Sequence, residues 1–337
     1  MTFIARLLSV SALLLTGVAA VSAPAAAVDY PLRQITVIVP FAPGGPTDTV
    51  ARIISAQMAK SLGQKVAIEN VVGAGGTLAA SLASRAAADG YTLIAGHMGT
   101  HAAAVPLYPG LSYHPARDFA PVALLAGTPI VIVARKDFPP QNLEEFAAYV
   151  RANTERLNVA HAGVGSVSYV SCLVLHRQLG VKPTGVPFGG MGPAMAALIA
   201  GEVDYMCDQI VNAVPHINSG KIKAYAIAMP TRSPSLPNVP TTAEAGLPGF
   251  QARAWIAMFA PKGTPPSLVA LLNAAASRAL DDRAVRDTLQ ALGAVIPAPE
   301  QRTPQALADL VASEIDRLTP LLWQAANATN GHDQPWK

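Results

Sequence analysis

The chain has 337 residues, 13% of them charged, and its 24 lysine and arginine residues nearly balance its 21 aspartate and glutamate residues. This balance, with no block of like charge, excludes a chain built to bind nucleic acid or an anionic membrane surface. We therefore expect a small-molecule partner, and the length is enough for two domains of ordinary size.

The N-terminal residues have the pattern of a secretory signal peptide, predicted over residues 1–27. Arg6 supplies the positive start, residues 7–20 are apolar and uncharged, and Ala25 and Ala27 offer the small residues that precede a cleavage point. The apolar run is shorter than the ~20 residues that a bilayer requires, which disfavours the alternative of an uncleaved anchor.

Short apolar runs and helical patterns alternate in the first part of the chain. Strands are predicted at residues 34–40, 65–71 and 91–95. One apolar helix face leads to a helix end at Gly63, and a second helix is predicted over residues 77–88. Strands and helices that alternate at this spacing indicate parallel βαβ units.

Two apolar runs follow each other without a helix, at residues 121–126 and 130–133. Such a pair suits a crossing from one lobe to another, after which strand and helix alternate again. The second set comprises helices at 143–152, 168–179 and 193–200 and strands at 157–161, 184–187, 203–207 and 224–228.

The C-terminal part begins with a proline-rich stretch at residues 230–237, which is typical of a loop. A strand at 255–260 and helices near 266–280, 284–292 and 304–326 complete the chain but form no α/β set of their own. We therefore expect them to return to the first lobe. The prediction is a discontinuous first lobe and a single inserted one: residues 28–128 with 229–337, and residues 129–228.

Four glycine loops precede helices, and the first two lie in one lobe and the last two in the other. They are Gly44-Gly45-Pro46-Thr47-Asp48, Gly73-Ala74-Gly75-Gly76, Gly163-Val164-Gly165-Ser166 and Gly189-Gly190-Met191-Gly192. Glycine lets backbone N–H groups turn outward, and a helix N-terminus attracts anions through those groups and its dipole. Because ligands bind at the carboxyl edge of open α/β sheets, we expect a hinged cleft that closes on a carboxylate.

Cys172 and Cys207 are the two cysteines of the chain. An exported protein enters an oxidising compartment, so a disulfide between them is the leading interpretation. Two separate buried thiols remain the alternative, because sequence does not show whether their Cα atoms are close enough.

Several stretches resemble one family over nearly all of the chain that comes after the signal peptide. Among them are "ITVIVPFAPGGPTDTVARIIS", "DGYTLIAGHMGTHAA", "AGVGSVSY" and "VPFGGMGPAMAALIAGEVDYMCDQI". They are similar to the Bug-type substrate-binding receptors of tripartite tricarboxylate transporters. The resemblance implies a periplasmic solute receptor with the type II periplasmic binding protein fold: two βα lobes joined by a two-strand hinge, with a cleft between them.

By the same resemblance, the receptor delivers a small carboxylate to the permease subunits of such a transporter, and we expect it to be a monomer. A periplasmic sensor that presents its closed form to a membrane signalling partner is the alternative, since both roles need hinge closure. The residues carried over to the ligand site by position are Phe41, Gly45, Thr47, Asp48, Gly75, Gly76, Thr100, His101, Gly165, Ser166 and Asp208.

The two acidic members of that set need separate roles, because a carboxylate repels an anionic ligand. Asp48 is favoured as a helix cap over a ligand contact, whereas for Asp208 a bond to a ligand donor and a bond to neighbouring backbone are equally supported. His97 departs from the serine or asparagine more common in the family, which leaves the identity of the acid open.

Enzymatic, metal and nucleotide functions lack their patterns. Ser166 has no second glycine of a nucleophile elbow and no convincing Asp and His partners, which disfavours a hydrolase. His97 and His101 lack further zinc ligands, and the glycines at 73, 75 and 76 omit the last glycine of a dinucleotide fingerprint. We expect a binding protein without catalytic activity, metal or cofactor.

Overall fold

The computed structural model describes residues 29–328, with side chains through residue 323. The predicted signal peptide and its cleavage point lie outside the described residues. The chain divides after Tyr30, and the strands and helices of the described residues belong to the unit that begins at Pro31. Among the described residues, no helix is both long and apolar enough to cross a bilayer.

The strands and helices alternate in the order that βαβ units require. The strands are β1 (Ile35–Val39), β2 (Val66–Asn70), β3 (Thr92–His97), β4 (Phe119–Gly127), β5 (Ile130–Arg135), β6 (Asn158–His161), β7 (Thr184–Pro187), β8 (Tyr205–Gln209), β9 (Ile222–Ile227) and β10 (Trp255–Pro261). The helices are α1 (Pro46–Leu62), α2 (Thr77–Ser84), α3 (Ala104–Leu107), α4 (Leu143–Asn153), α5 (Val167–Leu179), α6 (Met191–Ala200), α7 (Ile210–Asn218), α8 (Pro266–Asp281), α9 (Arg283–Ala291) and α10 (Pro304–Ala328).

The strands form two sheets with the same arrangement. The first has the order β2-β1-β3-β10-β4, in which β1, β2 and β3 are parallel and β10 runs antiparallel to both of its neighbours. The second has the order β7-β6-β8-β5-β9, in which β6 pairs parallel with β7 and β8, and β5 runs antiparallel to β8 and β9. The alternation of strand and helix therefore builds two α/β lobes, as the sequence predicts.

The central strands consist mainly of apolar residues and are buried, as is typical of parallel sheets that helices cover on both faces. Ile35, Val37 and Val39 of β1 are fully buried, and every residue of β10 is buried. The first helix begins at Pro46, whose missing N–H costs nothing at that position, and it ends at Gly63 with a φ of +67°.

The first crossing between the lobes is short and tightly bonded. Thr128 and Pro129 join β4 to β5, and Thr128 N donates to Ala254 O at 2.8 Å, just before β10. Ile210 N, at the start of α7, donates to Pro129 O at 2.8 Å. The two strands that link the lobes are thus bonded to each other and to the second lobe at the crossing.

The segment between β9 and β10 contacts both lobes. Thr241 forms an isolated bridge with Ile227 of β9, whereas Ser235 Oγ donates to Gln290 O of α9. The lobe boundary predicted between residues 228 and 229 therefore stays a prediction. The hydrogen bonds favour continuing the second lobe through this bridge, with the return to the first sheet completed at Ala254.

A disulfide joins Cys172 of α5 to Cys207 of β8, with the Cα atoms 5.3 Å apart. It ties the helix to the middle strand of the second sheet, where both cysteines are buried. The separate-thiol alternative does not describe this structure.

Several elements differ from their predicted limits. The second helix ends at Ser84, four residues early, and β8 continues to Gln209, two residues beyond the predicted end. Helix α7 begins at the next residue, where the sequence analysis predicts no helix. It contains Pro215, a residue that argues against a helix because proline has no N–H to donate.

Candidate functional site

A small cavity of about 20 Å³ lies between the two lobes, at the carboxyl ends of their parallel strands. Both lobes supply its walls, because the strand-to-helix loops of each sheet meet there. The lining residues are Phe41, Gly45, Pro46, Thr47, Asp48 and His97 from the first lobe and Ala162, Ser166, Val167, Ser168, Met191 and Gln209 from the second.

The starts of α1, α5 and α6 converge on this cavity with their backbone donors unoccupied. Seven N–H groups at these helix starts have no hydrogen-bond partner among the described residues; they belong to Gly45, Thr47, Asp48, Val167, Ser168, Met191 and Gly192. All except Gly192 belong to residues that line the cavity. Free N–H groups and the positive ends of three helix dipoles make the cavity suitable for an anion.

Asp48 is the only carboxylate among the described residues that line the cavity, and its charge is already compensated. Oδ2 accepts from Gly44 N at 3.0 Å and Arg52 Nε at 2.8 Å, and Oδ1 accepts from Arg52 and from Asn70 Nδ2. Burial by itself raises the pKa of Asp48, but these hydrogen bonds outweigh burial and lower the pKa. Asp48 is therefore held in its ionised form by protein donors, at the third position of α1.

His97 contributes a neutral imidazole to the cavity. Its Nδ1 accepts from Gly99 N at 2.8 Å, which places the ring proton on Nε2, and Nε2 has no partner among the described residues. Burial lowers the pKa of His97 to about 4, so the ring is uncharged at neutral pH. Phe41 stacks on the imidazole with the ring centroids 5.0 Å apart. The pair forms an aromatic wall with one N–H donor.

Hydroxyl groups complete the polar lining. Ser166 caps α5: its Oγ accepts from Tyr169 N at 3.2 Å and donates to Gly163 O at 2.7 Å. Ser168 Oγ accepts from Ala162 N at 3.0 Å. Thr47 Oγ1 has no partner within the described part of the chain. The described residues place no lysine or arginine in the lining, so the donors of the cavity are neutral groups.

A larger cavity of about 540 Å³ adjoins the small one and shares Phe41 and Ala162 with it. The predicted residues Gly75 and Gly76 line this second cavity, opposite Gly163 and Val164 of the other lobe. Gly165 lines neither cavity. A Cβ added at Gly165 would lie 2.9 Å from the Tyr108 ring, so the two residues are packed closely together.

Direct bonds between the lobes surround the two cavities. Tyr108 Oη donates to Val164 O at 2.6 Å, and Ala42 N donates to Gly189 O at 2.9 Å. Burial raises the pKa of Tyr108 to about 12, so its hydroxyl keeps its proton at neutral pH. These contacts describe a closed arrangement of the lobes.

Thr100, His101 and Asp208, like Gly165, line neither cavity. Thr100 and His101 are fully buried in the first lobe, where the ring of His101 stacks on Phe259 with centroids 3.9 Å apart. A π-helical turn at Gly99–Ala103 begins two residues after the end of β3, and both side chains are buried in the core. Asp208 is also fully buried, and it accepts from Gln209 N and from Asn212 Nδ2. The ligand contacts assigned to these three residues therefore stay predictions.

Other lining residues are absent from the predicted set of ligand residues. Ser168, Met191 and Gln209 line the small cavity, and Tyr108 lines the larger one. The signal that points to Ser168 and Met191 is their position in the first turn of a helix after a glycine loop. Among the described residues, no group of three or more His, Cys, Asp or Glu side chains is placed to hold a metal ion.

Two lobes of the same α/β arrangement, two crossings and a cleft at the sheet edges define a periplasmic binding protein fold. Comparison with known proteins agrees, because the chain matches the family described as "Tripartite tricarboxylate transporter family receptor" over residues 50–326. The protein belongs to this family of solute-binding receptors, which confirms the predicted family and fold.

Solved structures that resemble this chain include members of the same group. MatC from Rhodopseudomonas palustris, solved with bound malate, is 62% identical with a TM-score of 0.85, covering 87% of this chain and all (100%) of that one. The periplasmic binding protein BugD is 39% identical with a TM-score of 0.85, covering 88% and 99% of the two chains. Rpa4515 from R. palustris, solved with adipate, is 33% identical with a TM-score of 0.82, covering 90% and 99%.

Proposed function

We propose that this protein binds a small carboxylate between its lobes in the periplasm and delivers it, as a monomer, to the permease subunits of a tripartite tricarboxylate transporter. Bound malate and adipate in the structurally similar R. palustris proteins support a small carboxylate as the ligand class. The family description supports the transporter as the destination.

The convergence of three helix starts on one cavity is the observation that carries this proposal. Free N–H groups from α1, α5 and α6 reach the cavity from both lobes, so an anion held there bonds to the two lobes at once. Such a ligand favours the closed form, because it makes its full set of bonds only when the lobes meet.

The neutral character of the donors favours a carboxylate group over a more highly charged phosphate group. Over the described residues, no cationic side chain lines the cavity, and Arg52 is engaged with Asp48 and Asn70. A monoanionic carboxylate group matches a few neutral hydrogen bonds, whereas a phosphate dianion usually calls for arginine or lysine.

Titration calorimetry of the chain from residue 28 onward tests the ligand class. The panel pairs each acid, including malate and adipate, with its neutral amide, so that the two differ mainly in charge. We expect at least one acid to bind while its amide does not, and a rise in melting temperature by mass action. Equal binding of acid and amide, or no binding by any acid, would refute the carboxylate assignment.

A pair of variants locates the binding site within the chain. Thr47→Val removes a hydroxyl that has no partner among the described residues, and it should weaken binding by about three- to tenfold. Thr288→Val, on the exposed part of α9, removes a hydroxyl that donates to Ala284 O, far from the cavity lining, and it should leave binding unchanged. Equal effects of the two variants would place the ligand elsewhere.

Uptake measurements test the delivery role. Cells that lack this receptor should fail to accumulate the labelled acid, and the wild-type gene should restore uptake. Normal uptake combined with a lost transcriptional response to the acid would instead support the sensor alternative.

A further inference from the structure

Gln209 occupies the point where the ligand cavity meets the first crossing between the lobes. It is the last residue of β8 and directly precedes α7, so its side chain emerges at the carboxyl edge of the second sheet. It is 4% exposed and lines the small cavity. Because the side chain is buried, each polar atom of its amide needs a partner.

One end of that amide is bonded to the crossing. Gln209 Nε2 donates to Thr128 Oγ1 at 2.7 Å, and Thr128 is fully buried. Thr128 is itself held, because its backbone N donates at 2.8 Å to the O of Ala254, the residue just before β10. A threonine fixed in this way sets the orientation of the glutamine amide.

The other end of the amide is an acceptor without a donor. With Nε2 held at Thr128, the amide leaves Oε1 as its atom for the cavity, and Oε1 accepts no hydrogen bond from the described residues. The remaining side-chain acceptors of the lining are different. Both oxygens of Asp48 each receive two donors, and the hydroxyls of Thr47, Ser166 and Ser168 carry protons of their own.

Among the side chains of the described lining residues, the cavity therefore combines many donors with one uncharged acceptor, Gln209 Oε1, that carries no proton of its own. A plain carboxylate satisfies donors only, and it leaves the carbonyl-type oxygen of Gln209 buried without a partner. A hydroxyl group on the ligand donates to that oxygen while the carboxylate accepts from the helix starts. The pattern of donors and acceptor fits a hydroxycarboxylate better than the same acid without its hydroxyl.

We propose that Gln209 is a specificity-determining residue whose Oε1 accepts a hydrogen bond from a ligand hydroxyl, and that Thr128 is the positioning residue that orients this acceptor. The inference rests on the proposed function, since it concerns the same cavity. It names the preferred substrate class within the small carboxylates: acids that carry a hydroxyl near the carboxylate.

L-Malate and succinate are the test probes, because they differ by a single hydroxyl. The quantity measured is the ratio of their dissociation constants, by calorimetry on the chain from residue 28 onward. Succinate has no hydroxyl, so it leaves the buried acceptor without a donor and loses binding free energy. The wild type should therefore prefer malate by at least about tenfold. Gln209→Leu, of similar size, should bring the ratio to within about threefold, mainly through weaker malate binding.

Two further variants separate specificity from folding. Thr128→Val keeps every lining residue but frees the amide, and it should lower the ratio as well. Thr47→Val is the matched control from the first-lobe side of the cavity, since we expect its hydroxyl to bond the carboxylate that both acids share; it should weaken both and preserve the ratio. If Gln209→Leu fails to fold, the double variant Gln209→Leu/Thr128→Val leaves neither buried partner unpaired and should show the lost preference.

Equal wild-type affinity for malate and succinate would overturn the inference, and so would an unchanged ratio in the folded Gln209 variant. Either result leaves the proposed function intact, provided that the wild type binds one of the acids. Failure of the whole carboxylate panel to bind would instead remove the proposed function, and this inference with it.

Discussion

A single methyl group added at Gly75 should impair closure of the lobes without impairing their folding. Its φ is +61°, and a Cβ built on it would lie 2.9 Å from Tyr108 Oη and would overlap Val164 O of the other lobe. Backbone atoms of Val164 have no room to turn aside, so the lobes themselves must move apart. Gly75→Ala should therefore oppose the closed form.

The expected magnitude comes from the bonds that such a movement breaks. Separation at this point removes the bond from Tyr108 Oη to Val164 O and the neighbouring bond from Ala42 N to Gly189 O. At about 1 kcal/mol each, their loss costs about 2 kcal/mol in the closed form. Since ligand binding and closure are coupled, this converts to a loss in affinity of about 30-fold.

Gly63→Ala is the matched control. Gly63 has a φ of +67° and no atom within 4 Å of the site of a Cβ, so alanine there carries the same backbone strain of about 1 kcal/mol without a clash. The assays are calorimetry with the tightest-binding acid of the panel and small-angle scattering with and without saturating ligand. Wild-type affinity and a wild-type decrease in radius for Gly75→Ala would refute the closure argument.

Other substitutions test the remaining features of the molecule. Replacing both Cys172 and Cys207 by alanine should lower the free energy of unfolding by about 4 kcal/mol, the chain-entropy value for a separation of 35 residues, as measured by urea denaturation. Gly45→Val should abolish the ligand-induced rise in melting temperature, because a Cβ there is already in van der Waals contact with Met191 N at 3.5 Å and the two methyl groups of valine need further space at the start of α6 or in the cavity; a parallel fall in the unliganded melting temperature would show that this glycine serves folding. The folded-state pKa of Asp48 lies below its ordinary value of 3.8, so the stability advantage of wild type over Asp48→Asn should be present above pH 3.8 and lost as the pH falls through the lowered pKa. Asp208 should show the opposite sign: burial raises its pKa from 3.8 to about 7, so wild type should lose stability relative to Asp208→Asn as the pH rises across that window.

The order of strands and helices was predictable from the sequence, because hydrophobic periodicity and glycine loops are local signals. The central strands of both sheets and the helices that start after glycine loops lie within a few residues of their predicted places. Sheet order is not a local property. The position of β10 between β3 and β4 depends on a pairing across more than a hundred residues, which periodicity does not encode.

The site residues that contribute backbone N–H groups were predictable from the sequence. Those that contribute a side chain were less so. Gly45, Thr47 and Ser166 line the cavity. They could be predicted because glycine, proline and serine mark helix starts in the sequence. The choice between Asp208 and Gln209 depends on where β8 ends, since successive side chains of a strand point to opposite faces. A strand ending at residue 207 suggests Asp208 for the cleft, whereas the observed end at Gln209 gives the position to glutamine.

The pairing of charges explains how this cleft attracts an anion although the described residues place no lysine or arginine in its walls. Asp48, which by itself would repel a carboxylate, receives donors from Arg52, Asn70 and Gly44, so its charge is compensated behind the start of α1. His97 stays neutral because burial lowers its pKa to about 4. On the cavity side, the positive field of the helix starts remains. The contributions of the two lobes add only when the loops of both lobes face the same cavity. Affinity for the anion and closure of the lobes therefore depend on the same contacts, and a change that keeps the lobes apart should weaken binding even when it touches no lining side chain.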